Sequence, residues 1–421
     1  MAPGSIRDLK ERIRPLREQA EITDNWLGKR LQVILPGLME REGIDLWVVI
    51  ARENNEDPVI LSLMPATILS ARRRTILVFH RNKKGEVDCL NLGKPDPGLN
   101  RFYKQAWDPQ KEGQWEALAR KIGDLRPGTL GINVSGEFAF GDGLSSSQKE
   151  EFLQILGTDS GVEIKSAAKL ALGWLEKRTP EEIIAYEGIN RIAHEIIARA
   201  YSSQVIHPGI TSAVDVAWWM RQTINDIGLQ AWFQPTVDIQ RAGEETPGPD
   251  SVILPGDVLH CDMGLCYLGL ATDTQQMAYI LRPGETSPPR EIAEALNTCN
   301  RLQDIFAANF IEGRTGNEIF QKSLQQAGQE GITAMIYTHP IGYHGHGAGP
   351  TMGLFDQQTF IPGPGEYPLY KDTCYAVELN IKEKISAWKD KEIMIALEQT
   401  AVFTNGKVEY LGGRQKEFFC I

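Results

Sequence analysis

The sequence predicts an α+β protein in two parts, and three observations carry that expectation. Residues 20–172 alternate helical and strand patterns, the order of an α/β domain. Near Lys177 the character changes: Thr179-Pro180-Glu181-Glu182 offers an N-cap threonine, proline at the first helical position and glutamate at the third. Beyond that start, apolar strand patterns carry isolated acids (Asp262, Asp273, Glu378 and Glu398), and one glycine-rich loop holds three of the seven histidines. The division expected is 1–172 and 173–421.

In the first part a helical period covers 26–41, and Leu46-Trp-Val-Val-Ile50 is a short apolar strand. Strand 75–79 turns through 81–85 and returns over 87–90. A helix over 115–122, a strand over 129–134, a helix over 145–156 and a strand over 162–164 complete it. Gly93, Gly98 and Gly113 are isolated turn glycines, so no phosphate-cradling loop is present. Nothing in this part carries obvious chemistry.

Composition narrows the function classes. Hydrophobic content of 42% and charged content of 24% are those of an ordinary globular protein. A net charge of −11 opposes general affinity for nucleic acid or anionic membranes. No apolar run approaches the ~20 residues that span a bilayer. The N-terminus lacks an apolar signal core, so a cytoplasmic location is expected. Cys89, Cys261, Cys266, Cys299, Cys374 and Cys420 show no Cys-x-x-Cys spacing, which fits reduced thiols.

In the second part Ile183, Tyr186, Ile189, Ile192, Ala193, Ile196 and Ala200 recur at helical spacing, with His194 as a structural residue among them. Thr211 is expected to cap a second helix that stops at Gly228. Trp218 and Trp219 lie side by side in it, one directed to the core and the other to a pocket or subunit contact. The ribbon 255–273 opens on Pro255-Gly256 and turns at Leu268-Gly269, which places Asp262 and Asp273 nearly opposite each other. Two close carboxylates beside Val258, Leu259, Met277 and Ile280 repel each other and resist desolvation, and a metal ion resolves both problems. A solvated hairpin with two incidental acids is the plainer reading of this ribbon alone.

Helices over 289–310 and 316–328 lead to the loop 337–350, which contains His339, His344 and His346. Neutral imidazole is a common ligand for transition metals, and glycines let a backbone approach a site closely. Strands 374–380 and 393–403 then each set one glutamate, Glu378 or Glu398, among apolar neighbours. Two such glutamates, two such aspartates and a histidine loop point to a single site.

These residues resemble the catalytic half of the pita-bread metallopeptidases, the family of aminopeptidase P, prolidase and creatinase. The resemblance rests on the Asp262 and Asp273 pair, His346 in Gly345-His346-Gly347-x-Gly349, Val377-Glu378 and Leu397-Glu398, together with the helix opening at Lys177. It implies a pita-bread catalytic domain preceded by an α/β creatinase-type N-terminal domain, and a homodimer. It also implies two divalent metal ions, Mn²⁺ first and Fe²⁺, Co²⁺ or Zn²⁺ as alternatives. Asp262, Asp273, His346, Glu378 and Glu398 are the implied ligands, Glu378 doubling as proton acceptor. His344 is the alternative ligand and a candidate catalytic residue, and His339, Tyr343 and His260 are candidates for substrate binding.

The implied reaction is cleavage of the amide bond before proline in small peptides. Two departures bear on it. The loop 240–253 lacks the histidine that proline peptidases of this family usually carry there. Their pattern His-Gly-x-Gly-x-x-x-His, counted from His346, ends on Gly353. A metal-dependent hydrolase or lyase of a small non-peptide metabolite is therefore the second reading, and a non-catalytic binding module the third.

Overall fold

The computed structural model describes residues 6–157, 161–243 and 247–421. The chain forms two compact units, one of residues 15–179 and one of residues 180–421 that also takes in the segment up to Arg14. That segment holds helix α1 (Ile6–Glu11) and is tied into the larger unit by Arg12, which pairs with Glu195, and by the Arg14 N–H, which donates to the Tyr267 hydroxyl.

In the unit 15–179, α2 (Leu16–Lys29) passes through a π-helical turn into α3 (Leu35–Glu42). Strands β1 (Leu46–Ala51), β2 (Thr75–Arg81), β3 (Val87–Asn91) and β4 (Lys104–Gln105) follow. Helix α4 (Gln114–Leu125), β5 (Thr129–Ile132), α5 (Ser146–Leu156), β6 (Glu163–Ser166) and α6 (Ala168–Glu176) complete it. The sheet order is β4-β3-β2-β1-β5-β6, with β1 antiparallel to β2 and parallel to β5. Flanked on both sides, β1 is buried throughout, which is why its sequence is continuously apolar. Leu46, Val48 and Ile50 meet Leu118 and Ile122 of α4 and Phe152 of α5. Arg30, fully buried, donates to the carbonyls of Lys177 and Trp174 and stacks over the Trp174 ring.

This unit also buries the acid Asp57 against uncharged partners. The Asn133 amide donates to Asp57 Oδ2 at 2.8 Å, the Val59 N–H donates to Oδ1 at 3.0 Å, and the Trp47 indole donates to Asn133 at 2.8 Å. Burial nevertheless pushes the Asp57 carboxyl up to about 6. Between its ordinary value and 6 the folded chain holds a proton that the unfolded chain has released, so stability rises as pH falls through 6. The opening free energy of the β1 amides, read by hydrogen exchange corrected for intrinsic rates, is expected to increase from pH 7.5 to pH 5 by about 1.4 kcal/mol, the worth of the one pH unit between 6 and 5. A flat profile would show that Asp57 titrates normally.

The larger unit starts with α7 (Pro180–Ala200) and α8 (Ala213–Asp226). The cap of α8 is Ser212 rather than Thr211: its hydroxyl accepts from the Asp215 N–H, and Asp215 closes a capping box back to the Ser212 N–H. Neither tryptophan of α8 enters the core; Trp218 is 60% exposed and Trp219 half-buried. Then come β7 (Gln230–Ala231), β8 (Thr236–Gln240), β9 (Val258–Met263), β10 (Leu265–Tyr267), β11 (Leu270–Ala271) and β12 (Thr274–Tyr279). Helices α9 (Arg290–Ala308) and α10 (Gly316–Gln329) precede β13 (Ala334–Ile336), β14 (His339–Pro340), β15 (Thr373–Ile385), β16 (Lys391–Thr404), β17 (Lys407–Tyr410) and β18 (Phe419–Cys420).

The main sheet runs β13-β15-β16-β12-β9-β8, with β14 on β15, β17 on β16 and β18 on β12. On one face Val377, Leu379 and Ile381 of β15 and Ile393, Ile395 and Leu397 of β16 pack with Leu296, Cys299 and Phe306 of α9 and Phe320 of α10. Alternation along the strands sends Glu378 and Glu398 to the opposite face. The tip of the aspartate ribbon leaves this sheet and forms a small one of order β11-β10-β7. Among the described residues no helix is long and apolar enough to cross a membrane. The six cysteines are free, with Cys261, Cys299 and Cys374 buried.

Candidate metal centre

Strand register assembles the acids. Glu378 pairs directly with Glu398, Glu398 with Gln275, and Gln275 with Asp262, so these four residues form one row across β15, β16, β12 and β9. Asp273 lies two positions from Gln275, and His339 pairs with Ala376, two positions from Glu378. The second row therefore runs beside the first on the same face. Asp262 is diagonal to Asp273, not opposite it as the ribbon's turn suggested. The turn residues Leu268 and Gly269 both take left-handed conformations, at φ 53° and 75°, which closes a two-residue hairpin with Tyr267 against Leu270. Following that register back pairs Asp262 with Gln275.

The histidine facing these carboxylates is His339. Its Nε2 lies 3.6 Å from Asp273 Oδ2, 3.5 Å from Glu398 Oε1 and 3.9 Å from Glu378 Oε2. Among the described residues, donor atoms of Asp273, His339 and Glu398 all fall within 4.8 Å of one another. His346, expected as the ligand, is exposed and stands edge-to-face with His339 at 4.7 Å between ring centroids. On its other side is Trp232, at 5.3 Å. The Trp232 indole donates to the Thr272 carbonyl, and Gly345 leaves the space its ring fills. His344, the alternative ligand, is half-buried outside the donor cluster, its carbonyl accepting from the Gly342 N–H. The histidine that stands among the acids lies seven residues before His346. With His339 at its head, the pattern His-x-x-Gly-x-x-x-His runs through Gly342 to His346, Pro340 standing where the family has glycine.

Of the expected substrate-binding residues, His339 lies in the cluster itself. The Tyr343 hydroxyl donates to Glu182 Oε1 on α7 at 3.1 Å. His260, on β9, places Nε2 2.9 Å from Gln275 Oε1 and Nδ1 3.3 Å from Asp238 Oδ2. The Gln275 amide in turn donates to Glu378 Oε1. Gln275, Trp232 and Tyr337 were not expected here. Tyr337 accepts from the Asn380 amide at 3.2 Å and meets Phe355 edge-to-face, and burial together with the Glu378 charge pushes its phenol up.

The electrostatics are those of a site built for cations. Burial pushes Asp262 and Glu398 well above the ordinary carboxylate range, and their charged neighbours add to it: Asp273 and Glu378 for Asp262, and Asp273, Glu378 and Asp262 for Glu398. Burial raises Glu378 to about 8. Burial opposes protonation of His339, but Asp273 and Glu378 outweigh it and hold the imidazole above its ordinary value. Asp262 Oδ1, Asp273 Oδ1, His339 Nε2 and both Glu398 oxygens are buried without a hydrogen-bond partner. Polar atoms buried this way are costly unless something completes them. Carboxylate-rich ligation with one imidazole suits hard to borderline divalent ions, so the residues present fit a metal centre.

The profile of metallopeptidase family M24 matches residues 186–405, more than half of the 421 residues. The chain belongs to that family. No curated protein sequence matches it. Among solved structures, the X-Pro aminopeptidase of Thermotoga maritima MSB8 superposes with a TM-score of 0.64 at 17% identity, covering 91% of this chain and 99% of that one. The dipeptidase PepE of Mycobacterium ulcerans gives 0.63 at 15% identity, covering 94% and 98%. The N-terminal domain of FACT complex subunit SPT16 from Cicer arietinum gives 0.59 at 12% identity, covering 94% and 98%. M24 membership and these likenesses bear out the expected fold class, a pita-bread domain preceded by an α/β domain.

Proposed function

We propose that this M24 protein is a dinuclear-metal hydrolase that cleaves the amide bond before proline in small peptides. The observation that carries the reading is the group of buried, partnerless donor atoms on Asp262, Asp273, His339 and Glu398, with Glu378 beside them. A fold kept only for protein contacts has no use for such costly groups. Asp262, Asp273, His339, Glu378 and Glu398 would hold two divalent cations, with Mn²⁺ the first expected. Cations held there would polarise the scissile carbonyl and acidify the attacking water.

The chain's own residues supply the rest. Glu378 takes the proton of the attacking water and returns it to the leaving nitrogen. His346, exposed beside His339, faces substrate and donates to the carbonyl oxygen as charge develops on it. Trp232 fixes the orientation of His346. The proposal includes a homodimer located in the cytoplasm.

Chelator-stripped protein titrated with Mn²⁺ by calorimetry is expected to take up about two ions per chain. The loaded protein is then expected to hydrolyse Xaa-Pro dipeptides or the first bond of Xaa-Pro peptides. Two bound ions without cleavage of any Xaa-Pro substrate would overturn the peptidase assignment, and turnover of small non-peptide amides alone would put the metabolite hydrolase in its place.

A further inference from the structure

The centre of the acidic row is neutral. Gln275 stands between Asp262 and Glu398 in the strand register, at a position that alternation aims into the site. A glutamine among four carboxylates relieves no charge, so its value lies in its directional groups. Its amide N–H donates to Glu378 Oε1, while Glu378 Oε2 faces His339 Nε2 at 3.9 Å. The two oxygens of Glu378 are thus separated in role, one tied to Gln275 and one turned to the donor cluster.

The orientation of the amide is fixed from behind. A carboxylate that holds a cation only accepts hydrogen bonds, so Gln275 must offer it Nε2 and keep Oε1 for the other side. Oε1 lies 2.9 Å from His260 Nε2, which must then carry a hydrogen. His260 Nδ1 lies 3.3 Å from Asp238 Oδ2 on the edge strand β8. His260, Gln275 and Glu378 therefore form a chain of hydrogen bonds that ends at the candidate metal centre.

We propose that Gln275 is a positioning residue for Glu378: oriented by His260, it withholds one carboxylate oxygen so that Glu378 presents only Oε2 to the cations. This rests on the dinuclear-metal reading above. Outer partners that orient ligating side chains typically contribute tenfold to hundredfold in metal affinity. Selectivity is the distinguishing mark: Glu378 and Asp262 stand at opposite ends of the row, so Glu378 would serve the ion that Asp262 would not hold. A residue that merely supported the sheet would affect both ions alike.

The test uses the full chain as wild type, Gln275→Leu, His260→Leu, the double variant and His260→Gln, which restores an N–H near the position of His260 Nε2. Each is melted metal-free and then titrated with Mn²⁺. Gln275→Leu is expected to weaken one of the two ions by about tenfold to hundredfold and the other by less than about threefold. The double variant should melt within about 1 °C of Gln275→Leu, since His260 acts through the amide that is already gone. His260→Gln should recover most of the affinity that His260→Leu loses. Equal weakening of both ions, additive melting shifts, or no recovery in His260→Gln would each overturn the proposal. If the wild type binds no ion, the dinuclear reading falls by that titration alone; the metal-free melts still decide the chain, non-additive shifts supporting it and additive ones overturning it.

Discussion

Exchanging Glu398 for glutamine will stabilise the metal-free protein and abolish paired-ion binding, two effects of opposite sign from one oxygen-to-nitrogen change. Glu398 is 1% exposed, both of its oxygens lack hydrogen-bond partners, and it sits across from Glu378 in the register. Burial, reinforced by Asp273, Glu378 and Asp262, raises its proton affinity in the folded state. Above the ordinary glutamate value the unfolded chain releases this proton while the folded chain keeps it. Metal-free wild type therefore loses stability with rising pH, at up to about 1.4 kcal/mol per unit from this group. Glutamine does not titrate, so the advantage of the variant should be small near pH 5 and several degrees of melting temperature at pH 8. Adding Mn²⁺ should reverse the order, because ligand binding stabilises only the chain that retains the site. Xaa-Pro turnover should fall to background in the variant. If Glu398→Gln melts below metal-free wild type at pH 8, the carboxylates are not held close enough to repel.

The acids were legible because a strand has a period of two. Glu378 and Glu398 stand at positions where apolar neighbours on both sides mark the opposite face, and strand pairing then sets them opposite each other. The aspartate ribbon was legible except in its offset. A two-residue turn at Leu268-Gly269 makes Tyr267 face Leu270, and that single pair fixes every pair behind it, including Asp262 with Gln275. Gln275 carries no charge and so gives no signal of its own, although counting two on from Asp273 puts it on the same face. The histidine loop had no period to follow: His339, His344 and His346 lie within eight residues, and only three-dimensional placement separates the one that meets the acids. The attachment of residues 6–14 to the larger unit depends on Arg12 reaching Glu195, a contact across 183 positions that no local pattern encodes.

Separate substitution of His339 and His346 by alanine will divide metal binding from catalysis. His339 Nε2 is buried, lacks a hydrogen-bond partner and lies between 3.5 and 3.9 Å from oxygens of Asp273, Glu398 and Glu378. Removing that imidazole takes away the site's nitrogen donor and leaves the acids to repel one another with one ligand fewer. Mn²⁺ affinity should fall by more than about 100-fold, beyond the loss expected for an outer partner. His346 is exposed and meets the centre at the edge of His339. His346→Ala should keep both ions within about threefold of wild-type affinity and leave the melting temperature unchanged, since an exposed side chain contributes little to stability. Its kcat/KM on an Xaa-Pro dipeptide should nevertheless fall by roughly 10²–10³, the usual cost of losing one donor to a developing oxyanion. The opposite result, with ions lost from His346→Ala and retained by His339→Ala, would return the ligand role to His346 and leave the buried Nε2 of His339 as a group that orients substrate.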